Sequence, residues 1–245
     1  MQDNNAFLKD KVALVTGAAG DIGQALCRKL NTYGIKIMLT DRNGEGLQAI
    51  EEELLAAGGD VRAIRGNLED VDFCMDLPHK TVNAFGGLDI LINNAGIAHK
   101  SMIEEMEPDV YDAIMNINVR APFFICREAL AYLRVSECGT IINLGSASAH
   151  KGYEGQSAFA ISKHALLGLT KSFACEAYKD GVQVQIISPG AVYSEMFNLL
   201  RPDLSADELI QPEDIASLVG FYLERRKASF VIDEVRIHRI GKEPF

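Results

Sequence analysis

Short strand-like apolar runs alternate with longer helix-patterned stretches along this chain, and that order restricts its fold more than any single motif. The runs at 12–16, 35–40, 61–65, 88–92, 140–144 and 182–187 are strand-like, with helical patterns at 22–33, 46–57 and 157–179. Strands separated by helices need right-handed crossovers. The pattern therefore predicts one Rossmann-like, doubly wound α/β domain: a mostly parallel sheet of about seven strands with helices on both faces. Gly34, Gly58-Gly59 and Gly181 mark the ends of the three helices. In such a sheet, ligands bind beyond the carboxyl ends of the strands, where the strand order reverses.

A chain of 245 residues with 48% hydrophobic content and no Pro/Gly/Ser-rich linker fits a single domain over 1–245. The net charge of −10 and a longest basic cluster of only Arg225-Arg226-Lys227 argue against nucleic acid as a partner. Five cysteines, odd in number and without Cys-x-x-Cys spacing, suggest neither a disulfide framework nor a metal site. The start of the chain is polar and its first apolar run is too short for a membrane span, so a soluble, cytoplasmic protein is expected.

Thr16-Gly17-Ala18-Ala19-Gly20-Asp21-Ile22-Gly23 follows the first strand and opens the first helix. Glycines there let backbone approach a pyrophosphate, and the helix N-terminus offers N–H donors to the anion. Asp21 would repel that anion unless its carboxylate turns outward to cap its own helix, which is the expected arrangement. Asp41 ends the second strand, eighteen positions beyond Gly23. An acid there accepts from both ribose hydroxyls and repels a 2′-phosphate, which favours NAD over NADP; Arg42 keeps the NADP alternative open.

These residues belong to a set of five elements in order that resembles the short-chain dehydrogenase/reductase family from about Leu8 to at least Ala216. Asn93-Asn94-Ala95-Gly96 is similar to the family's element beside the adenosine ribose, and Asn67, with Leu68 next to it, stands near the adenine position. Pro189-Gly190-Ala191-Val192-Tyr193-Ser194 resembles the segment that grips the nicotinamide carboxamide. The resemblance implies catalytic roles at the positions of Asn118, Ser146, Phe159 and Lys163, an NAD cofactor, a small alcohol or carbonyl substrate, and a homotetramer. Ser148, Tyr153 and Met196 are candidate substrate contacts. The stretch 195–211 is expected to be a substrate lid, and the tail 237–245 to reach a neighbouring subunit. Residues 230–237 lack the family's usual ending but alternate like a last strand.

Phe159 departs from the family at the position that matters most. Phe159 and Lys163 lie four apart on one helix, so their side chains share a face. The family carries tyrosine at this position as its general acid/base, worth about 10² to 10⁴ in rate. Phenylalanine keeps the ring and deletes the oxygen. The chain is therefore read as a secondary-alcohol or polyol dehydrogenase/ketone reductase, severely impaired, with deliberate inactivation as the favoured origin of Phe159. Two alternatives stay open: a natural redox-silent NAD-binding sensor or partner, and a non-redox lyase or isomerase using Ser146 and Lys163. Tyr153 is a possible substitute acid, whereas His164 points away and has no role assigned. His99, Lys100, His150 and Lys151 read as solvated loop positions, with a pocket rim for an anionic substrate as the alternative.

Overall fold

The computed structural model describes residues 6–200 and 204–241, with the side chains of Leu199 and Leu200 left out. The polar start at 1–5, the lid residues 201–203 and the tail residues 242–245 lie outside it. Seven strands form one wholly parallel sheet in the order β3-β2-β1-β4-β5-β6-β7. They are β1 Val12–Thr16, β2 Lys36–Asp41, β3 Val61–Arg65, β4 Ile90–Asn93, β5 Thr140–Leu144, β6 Gln183–Pro189 and β7 Glu234–Ile237.

The inner strands read as unbroken apolar runs because helices cover both faces. Along β1, Ala13 and Val15 point into one core and Leu14 into the other. The first core is closed by α1 (Asp21–Thr32) and α8 (Pro212–Glu224), through Leu26, Leu30, Val219 and Leu223. The second is closed by α3 (Val71–Phe85), α5 (Ala121–Leu133) and α6 (Ser157–Ala177), through Leu77, Ile125, Leu133 and Phe173. Each such side chain contributes roughly 1.5–3 kcal/mol on burial. The remaining helices are α2 (Gly44–Ala56), α4 (Pro108–Met115) and the short α7 (Glu195–Leu200).

The strand order reverses between β1 and β4, which pair in parallel from Ala13↔Ile90 to Val15↔Ile92. A crevice opens at that point beyond the strand ends. The last strand is shorter than its alternation predicts. It pairs with β6 only from Ile186↔Glu234 onward, and Phe230 and Val231, with no strand beside them, are exposed. The positive φ of Gly34 and Gly181 turns the chain out of its helices where the sequence predicts.

Candidate active site

The turn after β1 is built around glycines that admit no side chain. A Cβ on Gly17, whose φ is +67°, would stand 2.8 Å from the Ala95 Cα, and one on Gly23 would stand 2.0 Å from the Gly17 carbonyl oxygen. Gly20 meets nothing closer than 3.6 Å. It is the N-cap of α1 and supplies no side-chain cap, so the helix presents bare backbone donors to the crevice, with Ile22 lining it.

Neighbouring strand ends lock this turn. Thr16 Oγ1 accepts from the backbone N–H of both Asn94 and Ala95 at 3.1 Å. The Asn94 amide donates to the carbonyls of Thr16 and Gly17 at 3.1 and 3.0 Å. The Asp41 carboxylate accepts from Ala19 N–H at 3.1 Å and from Asn43 N–H at 2.9 Å. Asn67 is exposed, and its Oδ1 accepts from Glu69 N–H at 3.1 Å. Leu68 packs partly buried against the second core.

Asn118 sits in a π-helical turn, Asn116–Arg120, between α4 and α5. The wider turn, marked by Ala121 N–H donating to the Asn116 carbonyl, is a device often found at functional sites. Buried there, the Asn118 amide clamps the backbone of Ile97 at both ends, accepting from its N–H and donating to its carbonyl, each at 2.9 Å. It also donates to Ser162 Oγ at 3.0 Å, and that hydroxyl donates to the Phe159 carbonyl at 2.7 Å. Gly96 fills the space between Asn118 and Lys163: a Cβ on it would lie 3.3 Å from Asn118 Oδ1 and 3.6 Å from Lys163 Nζ.

Ser146, Phe159 and Lys163 line one cleft of about 260 Å³. Ser146 leads out of β5 and accepts from Ser148 N–H at 3.1 Å, which leaves its own proton for a ligand. Lys163 donates to the Leu144 carbonyl at 2.8 Å, and its Nζ lies 5.6 Å from the centre of the Phe159 ring. Phe159 is 6% exposed and Lys163 5%. Burial strips the ammonium of hydration that the single carbonyl does not replace, and lowers its pKa from 10.5 to about 8. Tyr153, Ser148 and Met196 line the same cleft.

The segment after β6 closes the site. Pro189, Gly190, Val192 and Ser194 all line the cleft. Ser194 caps α7, accepting from Phe197 N–H at 3.2 Å. The stretch 195–211 is pinned near its far end, where Ile210 bridges to Val192. Met196, Phe197 and Leu204 are its described cleft-facing residues.

The sequence pattern of the family described as short chain dehydrogenase matches residues 11–205. The chain belongs to the short-chain dehydrogenase family. It is 32% identical over 240 residues to the 3-oxoacyl-[acyl-carrier-protein] reductase FabG of Staphylococcus aureus, covering 94% of this chain and 97% of that protein. A dehydrogenase/reductase from Sinorhizobium meliloti superposes with a TM-score of 0.87 at 33% identity, covering 97% of this chain and 98% of the other. A metagenomic short-chain oxidoreductase in complex with NADP gives 0.83 at 30% identity, over 96% of this chain and 99% of the other.

Within this short-chain dehydrogenase, Asp21 does not cap its own helix as expected. As the first residue of α1 it cannot fold back onto that turn, and its carboxylate instead accepts from Glu195 N–H, at the start of α7, at 2.9 Å. The anion is turned outward, but it holds the start of α7. His99, Lys100, His150 and Lys151 are all absent from the cleft lining, and His150 Nε2 lies 2.8 Å from Glu234 Oε1. The pairing of β6 with β7 runs on to Gly190, whose N–H donates to the Ile237 carbonyl at 2.8 Å.

Sequence reasoning missed the Leu144 carbonyl, Gln156 and Arg239 of this short-chain dehydrogenase. The first is a backbone group and carries no residue signal. The last lies in a tail without a motif. Among the described residues, no helix is long and apolar enough to cross a membrane and no His/Cys/Asp/Glu group could hold a metal. Burial pushes the Cys126 thiol up to about 12, in keeping with a structural rather than a reactive role for that cysteine.

Proposed function

We propose that this chain is an NAD-dependent oxidoreductase of secondary alcohols or polyols and the corresponding ketones or aldehydes, severely impaired because Phe159 lacks the acid/base hydroxyl. The observation that carries this reading is the convergence of Ser146, Lys163 and the Phe159 ring on one cleft, with Asn118 tied into the same helix through Ser162. A chain that had drifted to pure binding has no use for all four.

The residues fit a dinucleotide. The closeness of Gly17 and Gly23 to neighbouring backbone leaves a cradle that any Cβ would fill. Backbone at Gly17, Gly20, Ile22 and Gly23 would hold the pyrophosphate, with Asp41 at the ribose hydroxyls and Asn67 and Leu68 near the adenine. Asn94, Ala95 and Gly96 would border the ribose, and Pro189, Gly190, Val192 and Ser194 the nicotinamide. When bound, the cofactor supplies the hydride acceptor or donor. NAD is favoured because the Asp41 carboxylate would repel a 2′-phosphate; the NADP-bound relative keeps NADP as the second choice.

The protein's own part is orientation and proton handling. Ser146 donates to the substrate oxygen, and Lys163 places a cation beside the ring face. A hydroxyl on that ring would have its pKa lowered by this cation and would take or return the alcohol proton. The ring's retention in a buried setting is what an isosteric inactivation preserves. A homotetramer is supported by exposed apolar Phe123 on α5 and Ile161 on α6, and sedimentation tests it.

The direct test follows reduced-nicotinamide absorbance for this chain and for Phe159→Tyr with small alcohols, polyols and ketones. Turnover that rises about 10² to 10⁴-fold in the tyrosine form supports the reading. Silence in both, with NAD binding intact, replaces it with a sensor or non-redox role.

A further inference from the structure

One cation in the cleft has no part in the redox reading. Arg239 lies two residues beyond β7 and lines the cleft that holds Ser146 and Phe159; its side chain is 21% exposed. Its Nη1 donates to Glu208 Oε1 at a long 3.4 Å, at the weak edge of hydrogen bonding. Glu208 is already engaged, since its Oε2 accepts from Ser205 N–H at 3.1 Å and from Ser205 Oγ at 2.9 Å. It acts as a backstop that aims the guanidinium and leaves most of the five donors unused by it.

That backstop is fixed to the site. Ile210 N–H donates to the Ala191 carbonyl at 3.0 Å, and Tyr193 N–H to the Ile210 carbonyl at 2.8 Å. The arginine, the lid's end and the loop after β6 thus share one hydrogen-bonded frame. Acids outnumber bases 34 to 24 over the whole chain, yet the described cleft lining contains no Asp or Glu. By strand order the arginine enters the cleft nearer Ser146, which follows β5, than the glycine turn, which follows β1. β7 is four positions from β1 in the sheet, about 19 Å from the glycine turn at ordinary strand spacing.

We propose that Arg239 receives the carboxylate of the substrate, so that the cleft selects a short oxo or hydroxy acid over a neutral alcohol. A planar guanidinium offers the two parallel donors that a carboxylate accepts, while Met196, Phe197 and Leu204 would cover the substrate's carbon chain. This inference rests on the alcohol/carbonyl reading of the site and narrows its substrate class.

The test uses the chain as it stands, saturated with NADH so that an oxo acid meets the hydride donor it would need, and isothermal titration with pyruvate, acetoacetate and levulinate, each beside its methyl ester. At least one acid should bind about tenfold or more tighter than its ester. Arg239→Gln should abolish that preference without changing the affinity for NAD. No acid preference in any pair overturns the inference, as does a loss of NAD affinity in Arg239→Gln, which would assign the arginine to the cofactor. Turnover by Phe159→Tyr separates the two readings: neutral alcohols turned over without acid preference overturn this inference alone, whereas acid-selective binding without turnover in any pair overturns the redox reading alone.

Discussion

The Asp21 carboxylate accepts the backbone N–H of Glu195 at 2.9 Å, joining the glycine turn to α7 across 174 positions of sequence. An acid in the first turn of α1 opposes an anionic cofactor through charge, while this hydrogen bond holds the start of α7 near the crevice. The two effects separate by mutation. Asp21→Asn keeps an acceptor for Glu195 and removes the charge, so NAD affinity should rise about three- to tenfold at low salt and the gain should shrink as salt is added. Calorimetric titration at two ionic strengths measures it; an equal Kd at both would show that the charge does not reach the anion.

Lys163 should titrate near pH 8 in the folded chain, because burial holds its pKa well below 10.5. Between those values the unfolded chain keeps a proton that the folded chain has released. Stability from this group therefore rises with pH across that window, by an amount on the order of 3 kcal/mol, and the burial penalty is fully felt below pH 8. Denaturant melts of the chain and of Lys163→Met from pH 7.5 to 10 check the sign: the difference between them should narrow as pH rises.

Asp41→Ser should shift cofactor preference toward NADP by about tenfold or more, since it removes the charge opposed to a 2′-phosphate. It also takes away the carboxylate that receives Ala19 and Asn43 N–H, at a cost of about 1 kcal/mol. Parallel NAD and NADP titrations, with a melting curve, separate the two effects.

Asn118→Ala should destabilise the fold by about 2–3 kcal/mol, because it strips the partners from both the N–H and the carbonyl of Ile97. Calorimetry gives the cost. Hydrogen exchange at Ile97 should accelerate in this variant, and an unchanged rate there would show that the clamp is replaced by another partner.

The glycine turn, the strand end at Asp41 and the shared face of Phe159 and Lys163 were legible because each depends on local spacing, whereas Asn94 was read only from the family resemblance. A tight turn needs glycine, a strand end is found by its apolar run, and a helix puts positions four apart on one face. α3, α4, α5 and α8 were not delimited from the pattern. α5 carries Phe123, Phe124, Ile125, Ala129 and Leu130 around much of its surface, so no single apolar stripe sets it off. The last strand was read four residues too long, because alternation continues at 230–233 where no neighbouring strand is there to pair with it.

Residue order alone carried the parallel sheet, the family resemblance and the missing hydroxyl at Phe159, since periodicity, glycine requirements and residue identity are properties of neighbours along the chain. Which carbonyl holds Lys163, where the Asp21 carboxylate goes and which cation faces the cleft were decided by tertiary structure. Those contacts join Leu144 to Lys163, Asp21 to Glu195 and Arg239 to Glu208, groups that meet only when the strand ends converge, and no spacing rule acts between segments before folding brings them together.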